Sequence, residues 1–356
     1  MLLLPERDVW ITGLGVYSAI GTNVQEFTEN LYRGIAAAHS IPPPKSGRMK
    51  RTVAALIKTA VPAPEWKEYP RGVQMALLAV RQALADAGIL HPDRLLHAGI
   101  SIGTMLGPIP DLQKTYLVAK KQLREIKTEQ LLQFSMSSIG DAIAAEFRLK
   151  GIRGTTSLVC ISSMVSIGMG FQWIRRGRAD LVLCGGTESF SVFGHQIMSQ
   201  LGLIAPDVTR PFDENSRGFL LGEGAGILIL EAREHAEKRG IQPYCTLAGY
   251  GCACDGKDLS QPAADGGGLT TAIRKAACNA PDLLDSIDFI HAHGVGSRVS
   301  DRAEVQALRT VFGKRLAHIP IYSIKGSIGH TSGAAGAMNV ISAVAALQHS
   351  TLPPTL

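Results

Sequence analysis

Two runs of the same order, strand, helix, strand, helix, strand, helix, follow one another along this 356-residue chain, and that repetition restricts the fold more than any other feature. In the first run, apolar stretches of strand length lie at Val9 to Gly13, Ala98 to Ile102 and Thr155 to Val159. They alternate with helical spacing at Gly72 to Ala87, stopped by Gly88, at Ile139 to Leu149 and at Ile161 to about Arg176. Two more strands, Leu181 to Cys184 and Gly226 to Leu230, complete it. The charged helix Glu231 to Arg239 leads into the second run. Its strands are Cys245 to Gly249, Asp288 to His291 and Pro320 to Ile324; its helices are Leu269 to Asn279, Asp301 to Phe312 and Gly333 to Gln348. The pattern predicts an α/β fold with right-handed crossovers, built from two similar βαβαβα-containing halves, residues 1–240 and 241–356, packed as one unit. By internal symmetry the second half lacks the last two strands of the first, so the chain reads as truncated at Leu356.

Composition narrows the class further. Hydrophobic residues make up 46% and charged residues 19%, enough apolar material for a large core and too little charge for disorder. The formal net charge of +6 favours an acidic partner, but no Lys/Arg cluster marks a nucleic-acid footprint. Six cysteines in so long a chain make no disulfide framework, and Cys252 and Cys254 have no second ligand pair at zinc spacing. The apolar stretch Leu2-Leu3-Leu4 is far shorter than a signal peptide, and no run approaches the ~18 apolar residues of a membrane span. The expectation is a soluble, cytoplasmic protein without a metal.

Cys160 ends one apolar strand and opens a helix, where the helix dipole would favour its thiolate. A buried structural cysteine is the competing reading at this position. His330 holds the matching place in the second half, after Gly329 and before a Gly/Ala-rich helix. His293 follows the strand Asp288 to His291 in His293-Gly294-Val295-Gly296-Ser297. Such turns put side chains at the carboxyl edge of a sheet, where open α/β folds bind ligands. A thiol nucleophile and two imidazoles on equivalent edges suit acyl transfer followed by carbanion chemistry.

These residues lie within longer motifs. Arg210-Pro211-Phe212-Asp213 precedes Gly218-Phe219-Leu220-Leu221-Gly222-Glu223-Gly224-Ala225-Gly226; Asp301 and Glu304 follow His293; and Lys325-Gly326-Ser327-Ile328-Gly329-His330 runs into Gly333-Ala334-Ala335-Gly336. Over nearly its whole length the chain resembles the β-ketoacyl-acyl carrier protein synthases of the Cys–His–His type, in the thiolase-like superfamily. The resemblance implies a thiolase-like, layered α/β/α/β/α fold and a decarboxylating condensation in fatty acid or polyketide-type biosynthesis. Cys160 would carry the acyl chain, and His293 and His330 would act as neutral donors to the enolate. Lys325, paired with Glu304, would sit beside them. Ser297 and Ser260 would contact the pantetheine arm, and Leu106 would limit acyl-chain length. Cofactors would be none, the substrates riding on the phosphopantetheine of acyl carrier protein. The partners would be that carrier and a second copy or a related ketosynthase, the homodimer forming through the strand before Cys160.

Three departures from the family pattern stand out. Val159 replaces the usual Ala before the cysteine, and Ser163 stands where Gly is common. Val295 and Ser297 replace two threonines, which leaves one pantetheine-side hydroxyl. The family chain also continues past Leu356 into two strands and a loop that supplies a second oxyanion donor. The competing expectation is a non-catalytic, chain-length-factor-like partner, against which Cys160 argues because such partners usually lack the nucleophile. A thiolase would use a second, C-terminal cysteine, and no cysteine follows Cys278.

Overall fold

The computed structural model describes residues 6–43, 50–89, 95–122, 131–258, 261–278 and 281–356. Its strands are β1 (Val9–Ser18), β2 (His39–Ser40), β3 (Val53–Ala54), β4 (Gly99–Gly103), β5 (Arg153–Thr156), β6 (Leu181–Glu188), β7 (Gly224–Ala232), β8 (Cys245–Thr246), β9 (Ile290–His291) and β10 (Ile321–Tyr322). Six of them form one mixed sheet in the order β5-β4-β6-β7-β1-β8. The neighbours β5, β4 and β6 run parallel, while β7 is antiparallel to both β6 and β1. Every residue of β7, Gly-Ala-Gly-Ile-Leu-Ile-Leu-Glu-Ala, is buried. Ile227 and Ile229 enter a core on one face, and Leu228 and Leu230 enter a second core on the other. A sheet covered on both faces explains the continuous apolar run where a half-exposed strand would alternate.

Helices Arg71–Asp86 and Ser138–Glu146 cover the first face. Helices Ser162–Arg175 and Ala335–His349 pack together over the second, joined by a hydrogen bond from Ala337 N to Ser163 Oγ of 3.1 Å. That contact gives Ser163 a use that Gly could not serve. The bonded helices come from different halves of the chain, so each half contributes to one shared layer.

Glycines expected to end strands lie inside them. β1 continues past Gly13 to Ser18, and β6 continues past Gly185 and Gly186 to Glu188. A Cβ on Gly186 would come within 2.7 Å of Gly333 O and Ser163 Cβ, so the residue is glycine because three segments cross there. Three helices were not legible in the sequence: Val24–Tyr32, Ile109–Lys121 and Val192–Gln200.

The second half departs from the expected repetition. Its own sheet, among the described residues, is β9 beside β10, in parallel register Ile290↔Ile321 and His291↔Tyr322. The expected strand Cys245 to Gly249 pairs with β1 only at Cys245 and Thr246. Beyond Leu247 the backbone through Asp255 mixes half-buried and exposed residues, with 249–251 all half-buried, and forms no ladder among the described residues. Among the described residues, no neighbouring edge makes this segment a strand.

Candidate active site

Cys160 sits on an elbow between β5 and helix Ser162–Arg175. The strand ends at Thr156, three residues earlier than the apolar run suggests, and Val159–Ile161 form a single 3-10 turn. Ser162 holds this elbow: its hydroxyl accepts from Leu158 N at 2.8 Å and donates to Val159 O at 2.7 Å. Thr156 Oγ1 donates to Ser162 O at 2.8 Å. Val159 is thereby kept at φ +53°, a left-handed conformation that is strained for a β-branched residue.

His330 is fixed from the opposite side. Its N–H donates to Leu220 O at 2.7 Å, its carbonyl accepts from Gly222 N at 2.9 Å, and the Phe219 ring stands edge-on at 5.5 Å. The long glycine-rich signature therefore acts as a brace for this histidine. His293 is anchored through its backbone, which donates to Glu304 Oε1 at 2.6 Å, while Gly294 N donates to Oε2 at 2.8 Å. Asp301 accepts from Val295 N, Gly296 N and Phe212 N at 3.1, 3.2 and 2.9 Å. Cys160 Sγ and ring nitrogens of His293 and His330 lie within 4.8 Å of one another, and the two imidazoles meet edge to face at 5.4 Å.

Lys325 is buried beside this cluster, and its ammonium has no hydrogen-bond partner among the described residues. The expected direct pair with Glu304 is not formed among the described residues; both carboxylate oxygens accept from the 293–294 backbone, and the lysine ammonium bonds to neither. Glu304 acts on Lys325 through its charge: burial pushes the lysine down to about 8, and Glu304, Cys160 and Asp301 resist that fall. Burial and then the Lys325 charge push His293 down to about 3 and hold His330 well below the ordinary imidazole range. Both rings are therefore neutral at pH 7 and able to donate one hydrogen bond while carrying no charge.

Burial acts against the thiolate at Cys160: it raises the thiol's pKa, and the nearby Lys325 charge offsets only part of that rise. The cysteine occupies the 3-10 turn, and the α-helix starts two residues later at Ser162.

Two cavities flank the cluster. One of about 570 Å³ is lined by Cys160, His293, Glu304, His291 and Asn339. The other, of about 120 Å³, is lined by His330, Val159, Leu106, Phe190, Met198 and Phe219. Leu106 and His330 thus line the same cavity. Ser297 lies apart, half-buried at the start of helix Arg298–Phe312 in a surface cleft with Arg217 and Gly218. Ser260 lies outside the described residues.

His291 and Asn339 were not singled out in the sequence. His291 is pushed down to about 3 by burial and then by Lys325, and its ring stands 4.4 Å from that of Tyr322. The period of a strand could have found it, because residues two apart share a face and His293 is two residues on. Cys160, His293 and His330 are also, by type and spacing, a ligand set for a soft metal. The buried Lys325 charge, which already bears on all three, would repel a cation placed there.

The chain is similar to known proteins over nearly its whole length. Residues 6–236 match the model of the beta-ketoacyl synthase N-terminal domain, and residues 244–356 match that of its C-terminal domain. The chain is 30% identical to the tetracenomycin polyketide synthase ketoacyl synthase alpha subunit of Streptomyces glaucescens, over 98% of this chain and 87% of that one. It is 29% identical to 3-oxoacyl-[acyl-carrier-protein] synthase 2 of Staphylococcus aureus, covering 98% and 88%. Among solved structures it is similar to the ishigamide ketosynthase/chain length factor, with a TM-score of 0.90, 32% identity and coverage of 98% and 88%. A beta-ketoacyl synthase from Burkholderia phymatum gives the same TM-score and coverage at 29% identity. At 26% identity it also resembles, with a TM-score of 0.88, a type II polyketide synthase ketosynthase in complex with its acyl-carrier protein, covering 99% and 89%.

Proposed function

Because this chain belongs to the beta-ketoacyl synthase family, we propose that it joins an acyl thioester to malonyl-acyl carrier protein by decarboxylating Claisen condensation, giving 3-ketoacyl-acyl carrier protein. Cys160 gives up its proton, and its sulfur attacks the acyl thioester. The bond to the carrier's pantetheine sulfur breaks, and the pantetheine leaves as a thiol with that proton. A malonyl thioester follows and loses carbon dioxide. The enolate oxygen left behind accepts hydrogen bonds from neutral His293 and His330. Its carbon attacks the acyl carbonyl, the bond to Cys160 breaks, and the thiolate regains a proton from solvent. Removing one donor of this kind typically costs about 10²–10³ in rate.

One observation carries the reading: a thiol and two imidazoles within 4.8 Å, kept neutral by burial and then by the charge of a buried lysine beside them. Lys325 also favours the thiolate that each half-reaction needs. Ser297 would hold the pantetheine arm, and the apolar cavity at Leu106 would take the acyl chain. The acidic partner that the charge of +6 favours would be acyl carrier protein, alongside a second copy or a related ketosynthase. No helix among the described residues is long and apolar enough to cross a membrane.

The test is mass spectrometry after incubation with an acyl carrier protein loaded with an acyl chain. The acyl mass should appear on Cys160 and be lost in Cys160→Ala, with the circular dichroism of that variant unchanged. Acylation mapped to Cys184 or Cys278 would overturn the assignment. A second reading, a partner that shapes the tunnel of a related ketosynthase, is supported by the strained Val159 beside the thiol and by the likeness to the ishigamide ketosynthase/chain length factor. Under it, Cys160 would gain no acyl mass.

A further inference from the structure

We infer that Glu188 is a positioning residue, a clamp that ties the floor of the acyl cavity to the turn carrying His330, so that a chain too long for the cavity loosens that turn. The inference rests on the ketosynthase reading. Glu188 is the last residue of β6 and is only 4% exposed. Its Oε2 accepts from Met105 N at 2.6 Å and from Gly333 N at 3.1 Å, and its Oε1 accepts from Leu106 N at 3.0 Å. Thr104 adds a side-chain hydrogen bond. No Lys or Arg pairs with Glu188 among the described residues. A buried carboxylate without a counter-ion is costly, and one whose only task was to fill space could be replaced by an apolar residue. Here it joins two segments that otherwise meet only by packing.

Those segments carry different parts of the reaction. Leu106 lines the 120 Å³ cavity, and Gly333 lies three residues after His330, which lines the same cavity. Between them Ser332 is held at φ +45°, a strained conformation that needs an outside restraint. A Cβ on Gly333 would come within 2.6 Å of Glu188 Oε2, so the turn is fitted closely around this carboxylate. A cavity of 120 Å³ is smaller than the roughly 150 Å³ that accepts a benzene ring. An acyl chain of more than about six carbons that enters this cavity would therefore displace its floor. The Met105 N–H that moves with Leu106 shares its acceptor oxygen with Gly333 N–H, so the strain passes to the His330 turn.

Two measurements test the clamp. In the wild-type protein, hydrogen exchange at the amides of Met105, Leu106 and Gly333 should be slow when Cys160 carries a butyryl group. It should quicken at all three together when Cys160 carries a dodecanoyl group. In Glu188→Gln, the preference for butyryl over dodecanoyl primers should fall about tenfold, in kcat more than in KM, as expected for losing one buried hydrogen bond. Independent exchange of the three amides, or an unchanged preference in Glu188→Gln, would overturn the clamp. If Glu188→Gln does not fold, the exchange arm on the wild type decides alone. If the wild type takes no acyl group on Cys160, the ketosynthase reading fails instead, and comparing exchange of the three amides between unloaded wild type and Glu188→Gln still tests the clamp.

Discussion

At the residue scale, the site depends on where charge is placed among neutral groups. Cys160, His293 and His330 were legible because each follows an apolar run of strand length, with glycine beside both histidines, a pattern local enough to see in the chain. Glu188 was not legible, since it follows the Gly185-Gly186 pair that reads as the end of a strand, and its partners are 83 and 145 positions away. Lys325 was legible, but its electrostatic partner was read as a contact when it is a nearby charge. Its charge is second to burial in lowering His293, so Lys325→Ala should raise the His293 pKa part of the way from about 3 toward the ordinary 6.5. Removing a positive charge makes protonation easier, which fixes the sign. The acid limb of the malonyl decarboxylation profile should then move to higher pH, and imidazole NMR titration should show the same displacement. Leu106→Gly removes an apolar wall of the 120 Å³ cavity, so its products should shift toward longer acyl chains. An unchanged product distribution, read by mass spectrometry, would remove Leu106 from the pocket wall.

At the element scale, the informative strand is β5. It is the last strand of its sheet, with β4 on one side only. Ile152 O and Thr156 O accept from Ile100 N and Thr104 N of the β4 side, so the alternation of a parallel ladder turns the Thr155 backbone outward. Beyond this open edge the apolar residues Leu158, Val159 and Ile161 are exposed, and Val192, Phe193 and Ile197 are exposed on helix Val192–Gln200. An open edge beside apolar surface suits the proposed two-fold pairing with a second copy. Thr155→Pro removes an N–H that points away from β4, so it should leave the sheet intact and give a monomer in light scattering where the wild type gives the proposed dimer. A dimer that persists in this variant would place the interface elsewhere. Helix Val192–Gln200 went unread for a physical reason: three apolar residues on it face outward, which blurs the amphipathic stripe that marks a helix in sequence.

At the scale of the whole molecule, the alternating order of strands and helices was enough to read the fold class, and the neighbouring solved structures share it at a TM-score of 0.90. The sheet order was not readable, because placing β7 between β6 and β1 depends on packing and leaves no local mark. Nor does periodicity reveal whether a strand has neighbours, which is why the second half looked like a copy of the first. The two halves should differ in local stability accordingly. In β7 every residue is buried and both edges are paired, whereas among the described residues β9 is paired on one edge over two residues and 248–254 form no ladder. Amide exchange should be slowest in β6 and β7 and much faster from Cys245 to Asp255 and at Ile290–His291. Uniform protection across both regions would show that buried area, not pairing, sets the local stability.

The contact between the two central helices has a consequence for anyone shuffling this chain with a relative. Cys160 belongs to one half and His330 to the other, and among the contacts that bring them together Ser163 lies against Gly336 and Ala337. A Cβ on residue 336 would stand 3.0 Å from Ser163 Oγ and 2.8 Å from Met164 N. A crossover near residue 240 that joined this N-terminal half to a parent carrying alanine at 336 would therefore push the donor histidine away from the thiol. Compatibility in a chimaera library would be inherited as a pair of positions, and screening parents at 163 and 336 would sort viable offspring before any were made.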